Sequence, residues 1–473
     1  MPRGSMSLCW IACTALLAVA CAPVAYSPHA VDADADSGVL RHQARSPADD
    51  SLAARVAASG FAGRWPPAVW RLEELTLAAL HFNPSMQTAR ATAAVAQAQL
   101  ASAQQRPPVA FGVAAEHHSR QQDGDGPWSL GLALQLPWVA SGKREARIER
   151  ASLLADSAEL EVAEVAWRVR AQVRDRLIDL WDARARESVV QRRLAARKEM
   201  RELVSRRVDA GLLSAREFAQ EQSSVDVLEL ERVASRAAAR EATAGLAAAL
   251  GLPLATVGAM TMDAPPEPDG AGLHPRQEAR ALALRNRLDV QRGLLAYGVA
   301  DADLKLAVAA QYPDFSLSPG YMWDQGDSVW SLATSLVFPP GLRGQAAVRE
   351  AQARRELAGQ RFLELQARAI SDVEGSMQAL ALANERSVAA ARRLESAEAE
   401  FARAGKLYEA GAADRMQITA ARMTSLAAAG ERHAAMIAQL RAVAALEDAL
   451  QHPLIGGFRS LPQTSSASVE WNR

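Results

Sequence analysis

No proline occurs between Pro137 and Pro253, a run of roughly 115 residues. Proline removes a backbone donor and clashes with the preceding turn, so its absence permits unbroken helix. The run is mostly Ala, Leu, Glu, Arg and Gln, all good helix formers. Val162, Val165, Val169, Val173, Leu177 and Leu180 recur every three or four positions and form one apolar stripe of coiled-coil type. One break interrupts the run, at Asp209-Ala-Gly-Leu-Leu-Ser-Ala-Arg-Glu217. Gly211 suits the left-handed residue that ends a helix. Ser214 and Glu217 spell a capping box that starts the next one. The reading is two long antiparallel helices over 142–250 that meet at a tight tip. The first is about 100 Å long at 1.5 Å per residue.

A second proline-free run lies between Pro340 and Pro453, giving a helical hairpin over 342–450. Its break is Tyr408-Glu-Ala-Gly-Ala-Ala-Asp-Arg-Met-Gln417, where Gly411 matches Gly211 and Asp414 with Gln417 repeats the cap. A different texture precedes each run. Trp128, Leu130, Leu132, Leu134 and Leu136 alternate with Ser129, Gly131, Ala133 and Gln135, the period of a strand with one apolar face. Val109 to His118 is its partner, across a turn at Gln121–Pro127, in a β-hairpin over 109–136. In the second half, Phe315, Leu317, Tyr321 and Trp323 alternate with Ser316, Ser318 and Gly320. The returning face is Trp330, Leu332, Thr334, Leu336 and Phe338, in a hairpin over 314–338.

Asn83-Pro84, Arg106-Pro-Pro108, Leu136-Pro137 and Gly211 find counterparts at Arg287-Leu-Asp289, Gln311-Tyr-Pro313, Phe338-Pro339 and Gly411. The offset stays near 200 to 205 residues, so one unit of short helix, β-hairpin and long helical hairpin is duplicated. Repeat 1 covers 67–255 and repeat 2 covers 276–455, joined by a Pro-rich linker at 256–275. Residues 21–66 read as a polar, irregular linker and 456–473 as a tail. Asp32 to Gly38 departs from a calcium loop, because its glycine is one place late and Gln43 stands where a glutamate is needed.

Residues 1–20 read as a signal peptide, with an apolar run from Leu8 to Ala20. The run ends Leu17-Ala-Val-Ala-Cys21, which resembles a lipobox with Cys21 as a palmitate-bearing lipoprotein anchor; Ala18 stands where leucine is commoner. A plain A-x-A cleavage before Cys21 is the alternative. Past the signal only Cys21 remains, which excludes internal disulfides. No later stretch is apolar enough for a transmembrane helix, so entry into a membrane must use strands. Four strands of about ten residues suit an outer-membrane barrel, yet the smallest such barrels need eight. Open edges are not tolerated in lipid, so the barrel must be shared, and three copies give twelve strands. The net charge is −1 with both signs interspersed, which argues against a nucleic-acid partner.

The duplicated order of elements, Ala79-Leu-His-Phe-Asn-Pro84, the strand-to-helix junctions and the paired glycine tips resemble the TolC-like outer-membrane efflux family over about residues 66–455. The resemblance implies a mostly α fold with a transmembrane β part: an α-helical barrel plus a shared twelve-strand β-barrel in a homotrimer. It implies a bacterial outer-membrane location, with the helical part in the periplasm. It implies a periplasmic adaptor (membrane fusion) protein and an inner-membrane resistance-nodulation-division pump as partners, with outer-membrane lipid around the barrel. Gly142-Lys-Arg144 and Tyr321-Met-Trp-Asp-Gln-Gly326 resemble the CzcC-type heavy-metal branch, although Pro340-Gly-Leu-Arg-Gly344 lacks that branch's asparagine-rich start.

No catalytic pattern accompanies this. G-x-x-x-x-G-K and H-E-x-x-H are absent, no cofactor or metal site is expected, and His117-His118 reads as a surface turn. The chain is then no enzyme but a passive efflux channel energised by a partner. An envelope structural or adhesive coiled-coil protein and a protein-secretion conduit are the alternatives. The adaptor-contact tips are Gly211, Leu212, Leu213 and Ser214 with Gly411, Ala412, Ala413 and Asp414. Acidic side chains that ring a closed entrance are implied at Glu217 and Asp414, which plain helix capping explains equally well.

Overall fold

A computed structural model describes residues 26–28, 34–58, 61, 63–119, 127–139, 142–263, 275–324, 327–337 and 341–455. Cys21, the signal peptide, Phe338, most of the Pro-rich linker and the 456–473 tail lie outside the described residues. The chain divides at Arg45 into two units. In the first, Ala35–Gln43 is a short helix, α1, whose N-terminus is capped by Asp34 accepting from Ser37 N at 2.9 Å.

The second unit begins with α2 (Asp50–Ala58). The expectation of an irregular linker over 21–66 is therefore corrected. Asp49 accepts from the Ser51 and Leu52 amides to start α2. Leu52 and Val56, four residues apart, are buried in the main core. Two apolar residues at helical spacing in a polar stretch were the overlooked signal. Next come α3 (Leu72–Phe82) and α4 (Pro84–Gln104), separated at Asn83, whose carboxamide oxygen caps the Ser85 amide. Strands β1 (Ala110–His117) and β2 (Trp128–Trp138) lead into α5 (Lys143–Asp209) and α6 (Ala215–Leu250). The start of the expected linker is ordered, as α7 (Leu254–Gly258) and a bridge that pairs Met262 with Trp70.

The second repeat follows the same order: α8 (Arg276–Asn286), α9 (Leu288–Ala309), β3 (Asp314–Asp324), β4 (Asp327–Val337), α10 (Gly341–Glu409) and α11 (Arg415–Leu450). The strands form one antiparallel sheet in the order β1-β2-β3-β4. Among the described residues, the helices adjoining the sheet pack in the order α4-α5-α9-α10, and those running to the tips in the order α6-α5-α11-α10. Thus α5 and α10 run the full length, while α4 and α6 cover one side of α5. The α4/α6 side and α10 are the two margins of the layer, as β1 and β4 are of the sheet.

The main core lies where the short helices meet the long ones. Val165, Val169, Val173, Leu177 and Leu180 of the sequence stripe are all buried there, against Leu75, Leu246, Leu250, Ile437 and Leu440. Each such side chain contributes about 1.5–3 kcal/mol by leaving water. A charged knot sits beside this core. Arg170 pairs with Glu447 and donates to Ile455 O at 2.7 Å, and Arg174 reaches Asp448 at 2.7 Å. Arg170, Arg174 and Glu447 are at most 2% exposed. The other Glu447 oxygen accepts from the Leu454 and Ile455 amides, which ties the end of the described chain to α11.

Candidate functional site

Two regions carry the functional geometry: the two hairpin tips and the sheet. At the first tip, Leu212 N and Leu213 N both donate to Arg207 O, at 2.8 and 3.3 Å, so the last turn of α5 is closed by its own backbone. At the second, Ala412 N and Ala413 N do the same to Leu407 O, at 2.8 and 3.2 Å. Gly211 and Gly411 adopt φ of +73° and +72°, and a side chain at either would meet nothing within 4 Å. Only backbone strain, not crowding, selects glycine there. The tips are matching exposed knuckles, and Leu212 presents a 71% exposed apolar side chain.

The caps form as the sequence implied. Ser214 N donates to Glu217 Oε2 at 2.7 Å, and Glu217 N donates to Ser214 Oγ at 3.4 Å. The bonds from the Ser214 backbone and hydroxyl hold the Glu217 carboxyl below the usual range. Asp414 Oδ1 accepts from Gln417 N at 2.9 Å. Its other oxygen accepts from Arg207 at 2.6 Å, a tie from the second tip to the end of α5. The Gln417 amide, then Arg207, lower its pKa. Higher on the same seam Glu199 receives Arg415 at 3.0 Å and Arg422 at 3.5 Å. Sequence reasoning found the caps and missed these ties. Their signal was a basic residue at one break opposite an acidic one at the other.

The sheet has two chemically different faces. Cross-strand pairs Leu132↔Tyr321, Leu130↔Trp323, Leu136↔Leu317 and Trp138↔Phe315 continue one apolar face from β2 to β3. Phe111 and Val113 extend it on β1, and Trp330, Leu332 and Leu336 on β4. The opposite face carries Gly112↔Ala133, Ala114↔Gly131, Ala133↔Gly320, Gly320↔Ser331 and Ser316↔Ser335, all small or polar. Aromatic residues mark both ends of the apolar face. Tyr321 and Trp330 pack at 4.8 Å near one end, and Trp138 stacks on Phe315 at 5.7 Å at the other. The second belt was not foreseen, because Trp138 follows Pro137, which read as the end of the strand. At about 3.4 Å per residue and a tilt of about 40°, the eleven residues of β2 rise roughly 26 Å, the height of an outer-membrane apolar band.

His117 packs against Trp128 at 4.8 Å, while His118 points to the other face. Among the described residues no group of three or more His, Cys, Asp or Glu could hold a metal ion, and no helix is long and apolar enough to cross a membrane.

Comparison with known proteins agrees with this geometry. Residues 76–252 match the outer membrane efflux protein family. The outer-membrane channel OprN is similar at a TM-score of 0.69 and 20% identity, over 92% of this chain and 99% of that one. VceC of Vibrio cholerae gives 0.66 and 21%, over 82% and 100%. CmeC of Campylobacter jejuni gives 0.65 and 14%, over 90% and 94%. No curated protein matches the sequence. The fold is therefore that of the TolC-like outer-membrane channels, as the duplicated pattern implied, and most of the first repeat also matches the efflux-protein family model.

Proposed function

We propose that three copies of this chain close into a passive channel across the outer membrane, which exports small solutes or heavy-metal cations from the periplasm. The observation that carries the reading is the sheet: one continuous apolar face, one small polar face, and free margins at β1 and β4. Lipid does not tolerate open edges, so the margins call for identical neighbours. The helix layer ends on the same two sides, at α4/α6 and at α10, so one neighbour completes both. Exposed Val227 and Leu230 on α6, and Leu382 and Val388 on α10, give those margins apolar surface to bury.

The tips, Gly211 to Ser214 and Gly411 to Asp414, are the adaptor contact in this reading, and an inner-membrane pump of the resistance-nodulation-division type supplies the energy. Of the two carboxylates proposed for the gate, Glu217 is engaged in its own cap, whereas Asp414 joins the two hairpins through Arg207. The gate is then a tie between hairpins as much as an acidic ring. The heavy-metal reading rests on resemblance alone. Of the two stretches behind it, Lys143 braces Asp314 at 3.0 Å and Tyr321 pairs with Trp330 in the sheet, which are structural tasks. Cys21 remains the proposed lipid anchor.

Purified protein in planar bilayers tests the channel. Discrete conductance steps, larger or longer-lived in Arg207→Ala, are expected. Bilayers that stay silent with correctly extracted protein overturn the reading.

A further inference from the structure

One row of the polar face differs from the rest of it. Successive cross-strand pairs Glu116↔Ser129, Ser129↔Asp324 and Asp324↔Asp327 run across all four strands, at the end that bears the β1–β2 and β3–β4 turns. Below it, past Met322 and Val329, the face is small or polar, and it carries no charge until Asp314 at the opposite end. Within the row, Ser129 is 1% exposed and its hydroxyl donates to Asp324 Oδ1. His118, just past β1, places Nε2 at 2.9 Å from the same hydroxyl and 3.4 Å from Asp324. Three strands are thus joined through one imidazole, one hydroxyl and one carboxylate.

We propose that His118 is a proton-operated control on the charge of the channel's outer mouth; this rests on the barrel reading above. A hydroxyl has one proton to give, and here it goes to Asp324. With its proton given to Asp324, the Ser129 hydroxyl takes only a donor from His118, which the neutral tautomer protonated on Nε2 and the imidazolium both supply. Protonation keeps that donor and adds a positive charge 3.4 Å from Asp324, so imidazolium, hydroxyl and carboxylate form one charge-assisted chain. Among the described residues, the groups facing it are the Ser129 hydroxyl and the Asp324 carboxylate, with the carboxylates of Glu116 on β1 and Asp327 on β4 along the row. Every charged member of the row is acidic, so protonation is unopposed and offsets one of three carboxylates per chain. Across pH 5 to 8 an imidazole changes charge while ordinary carboxylates do not. A mouth lined by one sign of charge concentrates counter-ions, so cation preference should follow the protonation state of His118.

The test is the reversal potential of reconstituted channels in a potassium chloride gradient at about pH 8 and about pH 5.5, which bracket the imidazole range. The wild type should prefer cations at the higher pH and lose part of that preference at the lower, with the reversal potential moving toward zero. His118→Gln should keep the high-pH value at both, and His118→Lys should show the reduced value at both. A fall in His118→Gln equal to that of the wild type, or a wild type with no pH dependence, overturns the proposal. Absence of any wild-type conductance overturns the barrel reading instead, so the two failures are distinguishable.

Discussion

At the scale of single residues, the tip glycines and the buried Arg170–Glu447 pair make opposite demands. Gly211 and Gly411 need only a left-handed backbone, and the space around them is open. Gly211→Val should therefore cost about 1–2 kcal/mol of local strain without disturbing the core. Binding of the tips to an adaptor, measured by calorimetry, should weaken while the thermal midpoint of the extracted protein barely moves. Adaptor binding that survives unchanged would remove the tip from the contact. Arg170 and Glu447 are buried, and burial followed by the charge of Arg174 pushes the Arg170 pKa down to about 10. Removing one member strands the other, so Glu447→Ala should destabilise by about 3–5 kcal/mol. Arg170→Met with Glu447→Leu should recover part of that loss, because the apolar pair leaves neither of the two charges unpaired, whereas the Leu454 and Ile455 amides still lose their acceptor. Thermal unfolding of the single and double variants checks both statements.

At the scale of elements, the long hairpins were legible because nothing interrupts them. The proline-free runs, Gly211, Gly411 and the two capping boxes fix α5, α6, α10 and α11 to within a residue or two. The strands were legible because Trp128 to Leu136 alternates strictly. Short helices in polar sequence were hard to read: α2 is held by tertiary burial of Leu52 and Val56, and one such pair at helical spacing is a faint signal in the polar stretch 21–66. The ties between hairpins were hidden for a related reason. Arg207 and Asp414 lie 207 positions apart, and only the packing of α5 on α11 brings them together. This seam has a definite pH response. Asp414 has a folded pKa below its ordinary value, so its tie contributes above the ordinary carboxylate pKa and is lost as pH falls through the lowered one. Asp182 behaves likewise: burial alone would raise it, but hydrogen bonds from His433 and Arg186 bring it down. Conductance should thus stay latched at mildly acidic pH and rise only as pH falls below the ordinary carboxylate pKa of about 4. In Arg207→Ala the Asp414 part of that rise should vanish; an unchanged profile would mean that Asp414 does not restrain the hairpins.

At the scale of the whole molecule, the duplication explains the incompleteness of one chain. Each repeat supplies a β-hairpin and a helical hairpin, and two repeats give four strands and a four-helix layer. Neither closes on itself, and both end on the same sides. That arithmetic was available from the sequence, whereas the coincidence of the margins needed the packing order. In the proposed channel the apolar face of the sheet lies in lipid, and the free β1 and β4 edges lie against further copies. The most direct measurement is the mass of the particle extracted in detergent from an outer-membrane fraction. Particles of three copies, with sheet and helix margins protected from hydrogen exchange, are the predicted result. A water-soluble monomer with the alternating strands folded against its own helices would contradict the account.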